Sequence, residues 1–149
     1  MLGIIELQKE FPKVMYIDLD VHHGDGMCVE CTLKQTFPQK IAYPSFSLPI
    51  VLCLGVENAF QVSDKVLTVS LHHFAEGFYP GTGSGKHPSP RSKAVVNIPL
   101  KSGLSDGNLI RIFDGMIEPL KELFSPDAIV LQCGVDGMVM ILETEAWFS

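Results

Sequence analysis

Asp18, Asp20, His22, His23 and Asp25 place three carboxylates and two imidazoles within eight residues, interleaved with Gly24 and Gly26. Side chains two apart at the end of a strand project to the same side, so Asp20 and His22 offer one oxygen and one nitrogen donor to a common point. That pair is half of a catalytic zinc site, which takes three protein ligands and keeps one position open. The competing reading is a buried Asp–His hydrogen-bond network beside a turn. Charged side chains are seldom buried without a partner or a metal, so a cluster this dense favours the metal. Cys28 and Cys31 form a Cys-x-x-Cys pair. With neither a second pair nor neighbouring histidines, it carries no assigned role.

The elements that must position these groups are legible as apolar runs. Leu2 to Phe11 reads as the tail of an amphipathic helix, ended by Pro12. Val14–Ile17 is a short strand leading into the acidic cluster, and Val66–Leu71, Ala94–Ile98 and Ala128–Leu131 are three more. A helix is expected from Asp106 to Phe124, with Leu109, Ile110, Phe113, Ile117, Leu120 and Leu123 on its apolar face, Ser105 or Asp106 capping its start and Pro126 beyond its end. Continuous apolar strands separated by helices or long connections imply a parallel α/β sheet, whose ligands gather at the carboxyl ends of strands. Asp20, His22 and Asp136 all lie just past such ends.

The whole chain sets bounds on function. Its 149 residues are one modest domain or a piece of a larger one. Apolar residues at 46% suffice for a core, and a net charge of −6 argues against direct nucleic-acid binding. The N-terminus lacks the pattern of a signal peptide, and no apolar run reaches the length needed to span a bilayer. Four cysteines without framework spacing suit a reducing, intracellular compartment.

Tyr16-Ile-Asp-Leu-Asp-Val-His-His-Gly-Asp-Gly26 resembles the metal-ligand strand and loop of the zinc-dependent histone deacetylases, class I type. The resemblance continues through Val56–Phe60, Val66–His72, Gly77–Gly83 and Leu131–Asp136. It implies part of the catalytic domain of an arginase/deacetylase-like parallel-sheet fold, with only the central part present. It also implies hydrolysis of acetyl-lysine amides on histone tails, with transcriptional repression. Residue by residue, Asp20, His22 and Asp136 match the zinc ligands. Asp18, Ser70 and Leu71 match residues beside a structural potassium, the alternative for Asp18 being a cap or loop hydrogen bond. Phe78 and Tyr79 match the walls of the acyl-lysine channel. His72 and His73 are read as structural or exposed, and not as ligands. The expected partners are acetylated histone tails and corepressor proteins, with neither direct nucleic-acid nor membrane binding. The expected location is the nucleus, with the cytoplasm as a second compartment. Rival activities are deacetylation of small acetylated amines or of non-histone proteins, and a non-catalytic fragment.

The chain departs from the family in three ways. It holds neither the histidine pair that acts as general base nor the late oxyanion-stabilising tyrosine, so this truncated chain by itself is expected to be inactive. Residues Met27 to Gly55, 29 in number, interrupt a run that the family makes continuously. Gly-Met-Cys can be encoded with a splice-donor-like GTATGT and Leu54-Gly55 with an acceptor-like TAG, which reads as a translated intron; a lineage-specific loop is the rival. The last residues, 139–149, leave the family pattern, consistent with a shifted reading frame.

Overall fold

The structure is a computed structural model that describes residues 1–24, 55–85 and 93–137. The interruption at 27–55 (apart from Gly55), Cys28, Cys31 and the tail at 139–149 lie outside the described residues.

Four strands form one sheet: β1 (Val14–Asp18), β2 (Val66–His73), β3 (Val95–Leu100) and β4 (Ala128–Gln132). Their spatial order is β3-β2-β1-β4, and every neighbouring pair is parallel. The central pair is the most buried, as expected of strands covered on both faces: β2 is buried along its whole length and β1 in four of its five positions. Helices α1 (Leu2–Leu7) and α2 (Val56–Phe60) cover one face, where Ile4 and Phe60 pack with Val14 and Val66. Helix α3 (Asp106–Phe124) covers the other, setting Ile117, Leu109, Phe113 and Leu120 against Met15, Ile17, Leu67 and Val69. Alternation along β1 therefore decides its sides: Met15 and Ile17 meet α3, while Val14 and Tyr16 meet α1 and α2.

Three expectations need correction. Ile110 and Leu123 are exposed, and Ile112 and Phe124 take their places on the apolar face of α3. Ile110 sits about 100° around the helix from Leu109, just outside the buried arc. Leu123 borders an open cavity of about 220 Å³ between α3 and β3, which leaves its side chain largely in solvent. The amino-terminal helix also stops sooner than its pattern suggests, at Leu7, with Glu10 and Phe11 in hydrogen-bonded turns. The strands run on by one or two residues: β1 includes Asp18, and β2 includes both His72 and His73.

Candidate metal centre

Parallel pairing places the ends of β1 and β4 side by side, with Asp18 opposite Gln132 on one flank and Ser70 on the other. Leu19 N–H still bonds the Gln132 carbonyl at 2.9 Å, so the exit from β1 stays pinned to β4. The loop after β4 then returns Asp136 to this end of the sheet. Gly134 makes that return feasible, because a Cβ there would lie 2.6 Å from the Asp20 Cα and from its Oδ2.

The result is convergence on one nitrogen. His22 Nδ1 lies 2.8 Å from Asp136 Oδ2 and 3.2 Å from Asp20 Oδ1. Backbone amides hold the carboxylates in place: Val21 N–H donates to Asp136 Oδ1 at 3.1 Å and His22 N–H to Asp20 Oδ1 at 2.8 Å. One donor atom from each of the three residues falls within 4.8 Å of the others. A ring nitrogen carries at most one proton, yet two carboxylate oxygens face it. Two anions and one imidazole at a partly exposed strand end are therefore suited to a cation, and the carboxylate–imidazole set fits a metal with an open position. Two aromatic rings complete the surroundings of His22. Phe78 stacks on it with centroids 5.5 Å apart and planes at 11°, and Tyr79 meets it edge-on at 5.7 Å.

A match to the histone deacetylase domain family spans residues 52–140. Over 92% of the chain, the sequence is 40% identical to histone deacetylase 9 of Arabidopsis thaliana and 36% identical to histone deacetylase RPD3 of Saccharomyces cerevisiae. Over 91% it is 34% identical to histone deacetylase 8 of Xenopus laevis. This chain belongs to the histone deacetylase family. It spans only 26%, 25% and 33% of the length of those three relatives, respectively. The parallel α/β sheet agrees with the family's fold on a partial chain, and a carboxylate–histidine group that could hold a metal is consistent with a family that is generally metal-dependent. Because the two matches at 92% leave out so little of the chain, they take in both the Asp20–His22 segment and Asp136.

The remaining expected residues fall around this centre. Asp18 is 4% exposed and accepts from Tyr16 Oη at 2.8 Å and from Asp20 N–H at 3.0 Å, so the loop hydrogen bond weighed as its alternative is present. Burial lifts its carboxyl above the usual range, only partly offset by those donors. Burial and the neighbouring Asp18 likewise push the Tyr16 phenol above its ordinary value. Ser70 Oγ bonds His72 Nδ1 at 2.8 Å, and Leu71 is fully buried in the core. Phe78 is half-buried, whereas Tyr79 is 53% exposed at the rim.

His72 and His73 are buried, which removes the exposed alternative for both. Burial pushes His72 down to about 4, against the opposing pull of the Gly83 carbonyl and Glu57. Sequence reasoning missed the network behind the metal strand. His23 Nε2 lies 2.8 Å from Glu57 Oε2 and 3.0 Å from Asn97 Oδ1, and Asn97 Nδ2 donates to the same Glu57 oxygen at 2.8 Å. Burial raises the Glu57 carboxyl, but hydrogen bonds from His23 and Asn97 outweigh it and hold the group below its usual range. One signal was available: Asn97 is a polar residue inside the apolar run Val95-Val96-Asn97-Ile98. A cavity of about 10 Å³, the room of roughly one water, remains among Asp18, His23, Glu57, Ser70 and Asn97.

Proposed function

We propose that this chain is part of a zinc-dependent deacetylase that hydrolyses acetyl-lysine amides on histone tails. The observation that carries the reading is the convergence of Asp20 and Asp136 on His22 Nδ1, with Phe78 stacked on the same imidazole and Tyr79 edge-on to it. Asp20, His22 and Asp136 would hold zinc, which when bound supplies a Lewis acid for the acetyl carbonyl and a water acidified for attack.

The other roles belong to the chain itself. Phe78 and Tyr79 flank the apolar methylene stem of the acyl-lysine and leave its acetyl end at the metal. Asp18, hydrogen-bonded to Tyr16 and to the Asp20 amide, stiffens the strand exit that carries two of the three ligands. In the same reading Asp18, Ser70 and Leu71 border a potassium. The net charge of −6 suits a cationic histone tail. Nuclear location, corepressor partners and transcriptional repression follow from the same proposal.

Proton transfer is assigned, by resemblance, to a His-His-Ala pair placed ahead of the Asp18–His22 strand and to a late tyrosine in a glycine-rich loop, and neither occurs in these 149 residues. General acid–base catalysis contributes about 10²–10⁴-fold and an oxyanion donor about 10²–10³-fold. The 149-residue chain alone should therefore bind zinc while turning over several orders of magnitude more slowly than a complete relative. The test compares release of acetate from an acetylated histone-tail peptide by this chain and by a complete family member. Binding without appreciable turnover is expected; turnover at the complete enzyme's rate would contradict the assignment of roles.

A further inference from the structure

The loop at 77–85 carries Phe78 and Tyr79, and two buried imidazoles grip its far end. His23 Nε2 faces a carboxylate oxygen of Glu57 and the amide oxygen of Asn97, both acceptors, so that nitrogen carries the proton. The ring's other nitrogen, Nδ1, is hydrogen-bonded to Thr82 Oγ1 at 2.9 Å. His72 is fixed in the same tautomer: its Nε2 donates to the Gly83 carbonyl at 2.9 Å and its Nδ1 accepts from the Ser70 hydroxyl. The two rings lie 4.4 Å apart, centroid to centroid. Gly83 sits against both, since a Cβ there would collide with His72 Nε2 and lie 2.7 Å from His23 Cγ.

At the near end Phe78 stacks on His22 and meets His73 edge-on at 4.4 Å. Consecutive histidines of one strand exit thus do different work. His22 faces the carboxylates and the Phe78 ring; His23 turns to the opposite side and holds Thr82.

We propose that His23 and His72 are positioning residues: a paired imidazole clamp on Thr82 and Gly83 that fixes Phe78 and Tyr79 against the metal strand. Glu57 and Asn97 act behind it by setting the His23 tautomer. The clamp's consequence for substrate rests on the reading of Phe78 and Tyr79 as channel walls; the clamp itself rests only on the geometry.

Two glycines of the loop supply a matched comparison. Gly81 and Gly83 have φ of 81° and 79°, so alanine at either carries the same backbone strain, but a Cβ at Gly81 meets only the Phe78 carbonyl at 3.9 Å. Amide hydrogen exchange on the full chain should show Gly83→Ala speeding exchange across 77–85 at least about tenfold more than Gly81→Ala, with β2 unchanged. Equal effects would overturn the clamp. Thr82→Val should speed exchange by about 3–10-fold, the worth of one hydrogen bond, and Thr82→Ser should restore it; a Thr82→Val without effect also overturns the clamp.

The positioning role is read on the zinc-loaded chain from the affinity ratio of octanohydroxamate to acetohydroxamate. Gly83→Ala and Thr82→Val should lower that ratio, leave acetohydroxamate binding unchanged, and Thr82→Ser should recover it. A ratio that does not move in the variants refutes the positioning role. A wild-type chain that does not prefer the longer stem refutes the channel-wall reading, while the exchange result still judges the clamp.

Discussion

Mild acid should destabilise this fold, and His72 is the reason. The ring is fully buried, with both nitrogens committed to Ser70 and Gly83. Burial lowers its pKa from 6.5 to about 4. The unfolded chain takes up this proton near the ordinary value and the folded chain resists it. Between about pH 6.5 and 4 the unfolded state therefore binds more protons, and stability falls as pH falls. The gap of about 2.5 pH units, at 1.36 kcal/mol each, amounts to roughly 3 kcal/mol. That is a large share of the 5–15 kcal/mol typical of a domain. Glu57 acts lower down: its stabilisation is complete above its unfolded value of 4.5 and is lost only as pH falls through its depressed folded value. Asp18, held up by burial, has the opposite sign and favours the fold on protonation. Urea midpoints at half-unit steps from pH 7 to 4.5 measure the effect. His72→Gln, which keeps a donor for the Gly83 carbonyl, should flatten the slope in that window. A flat profile in the unsubstituted chain, or an unchanged slope in His72→Gln, would refute the reasoning.

Gly134→Ala should weaken zinc binding by at least about tenfold, because its Cβ would displace the Asp20 backbone by roughly half an ångström or more from ordinary contact; competition against a zinc-responsive dye reads it. Deleting residues 27–55, which leaves Gly26 joined to Val56, should preserve zinc affinity and raise solubility, since His23 and Glu57 on either side already meet at 2.8 Å. Loss of metal binding on deletion would show the segment to be part of the site, and a mature transcript that keeps its codons as the dominant form would sink the intron reading. Pro119 lies inside α3, where it can donate no backbone hydrogen bond. Pro119→Ala should therefore raise the urea-unfolding free energy by about 1–3 kcal/mol.

The sheet was legible in the sequence because its strands are short continuous apolar runs, and α3 because its apolar residues recur at helical spacing. Asp20 and His22 were legible as a pair because two positions of one strand share a side. Asp136 needed the resemblance, since 114 residues separate it from His22 and only strand order brings them together. The clamp was not legible for the same reason. His23, Glu57, Thr82 and Asn97 come from a strand exit, a short helix, a loop and an outer strand, and no local pattern links them. Exposure at Ile110 and Leu123 was missed because periodicity gives a helix its apolar arc but not the extent of the sheet beneath it.

The central claim is that Asp20, His22 and Asp136 form one metal centre, and calorimetric titration of zinc into the purified chain tests it most directly. One zinc per chain should bind, and Asp136→Ala and His22→Ala should each abolish that binding while circular dichroism keeps the sheet and helix signal. Undiminished one-to-one binding in both variants, or no binding by the folded unsubstituted chain, would contradict it.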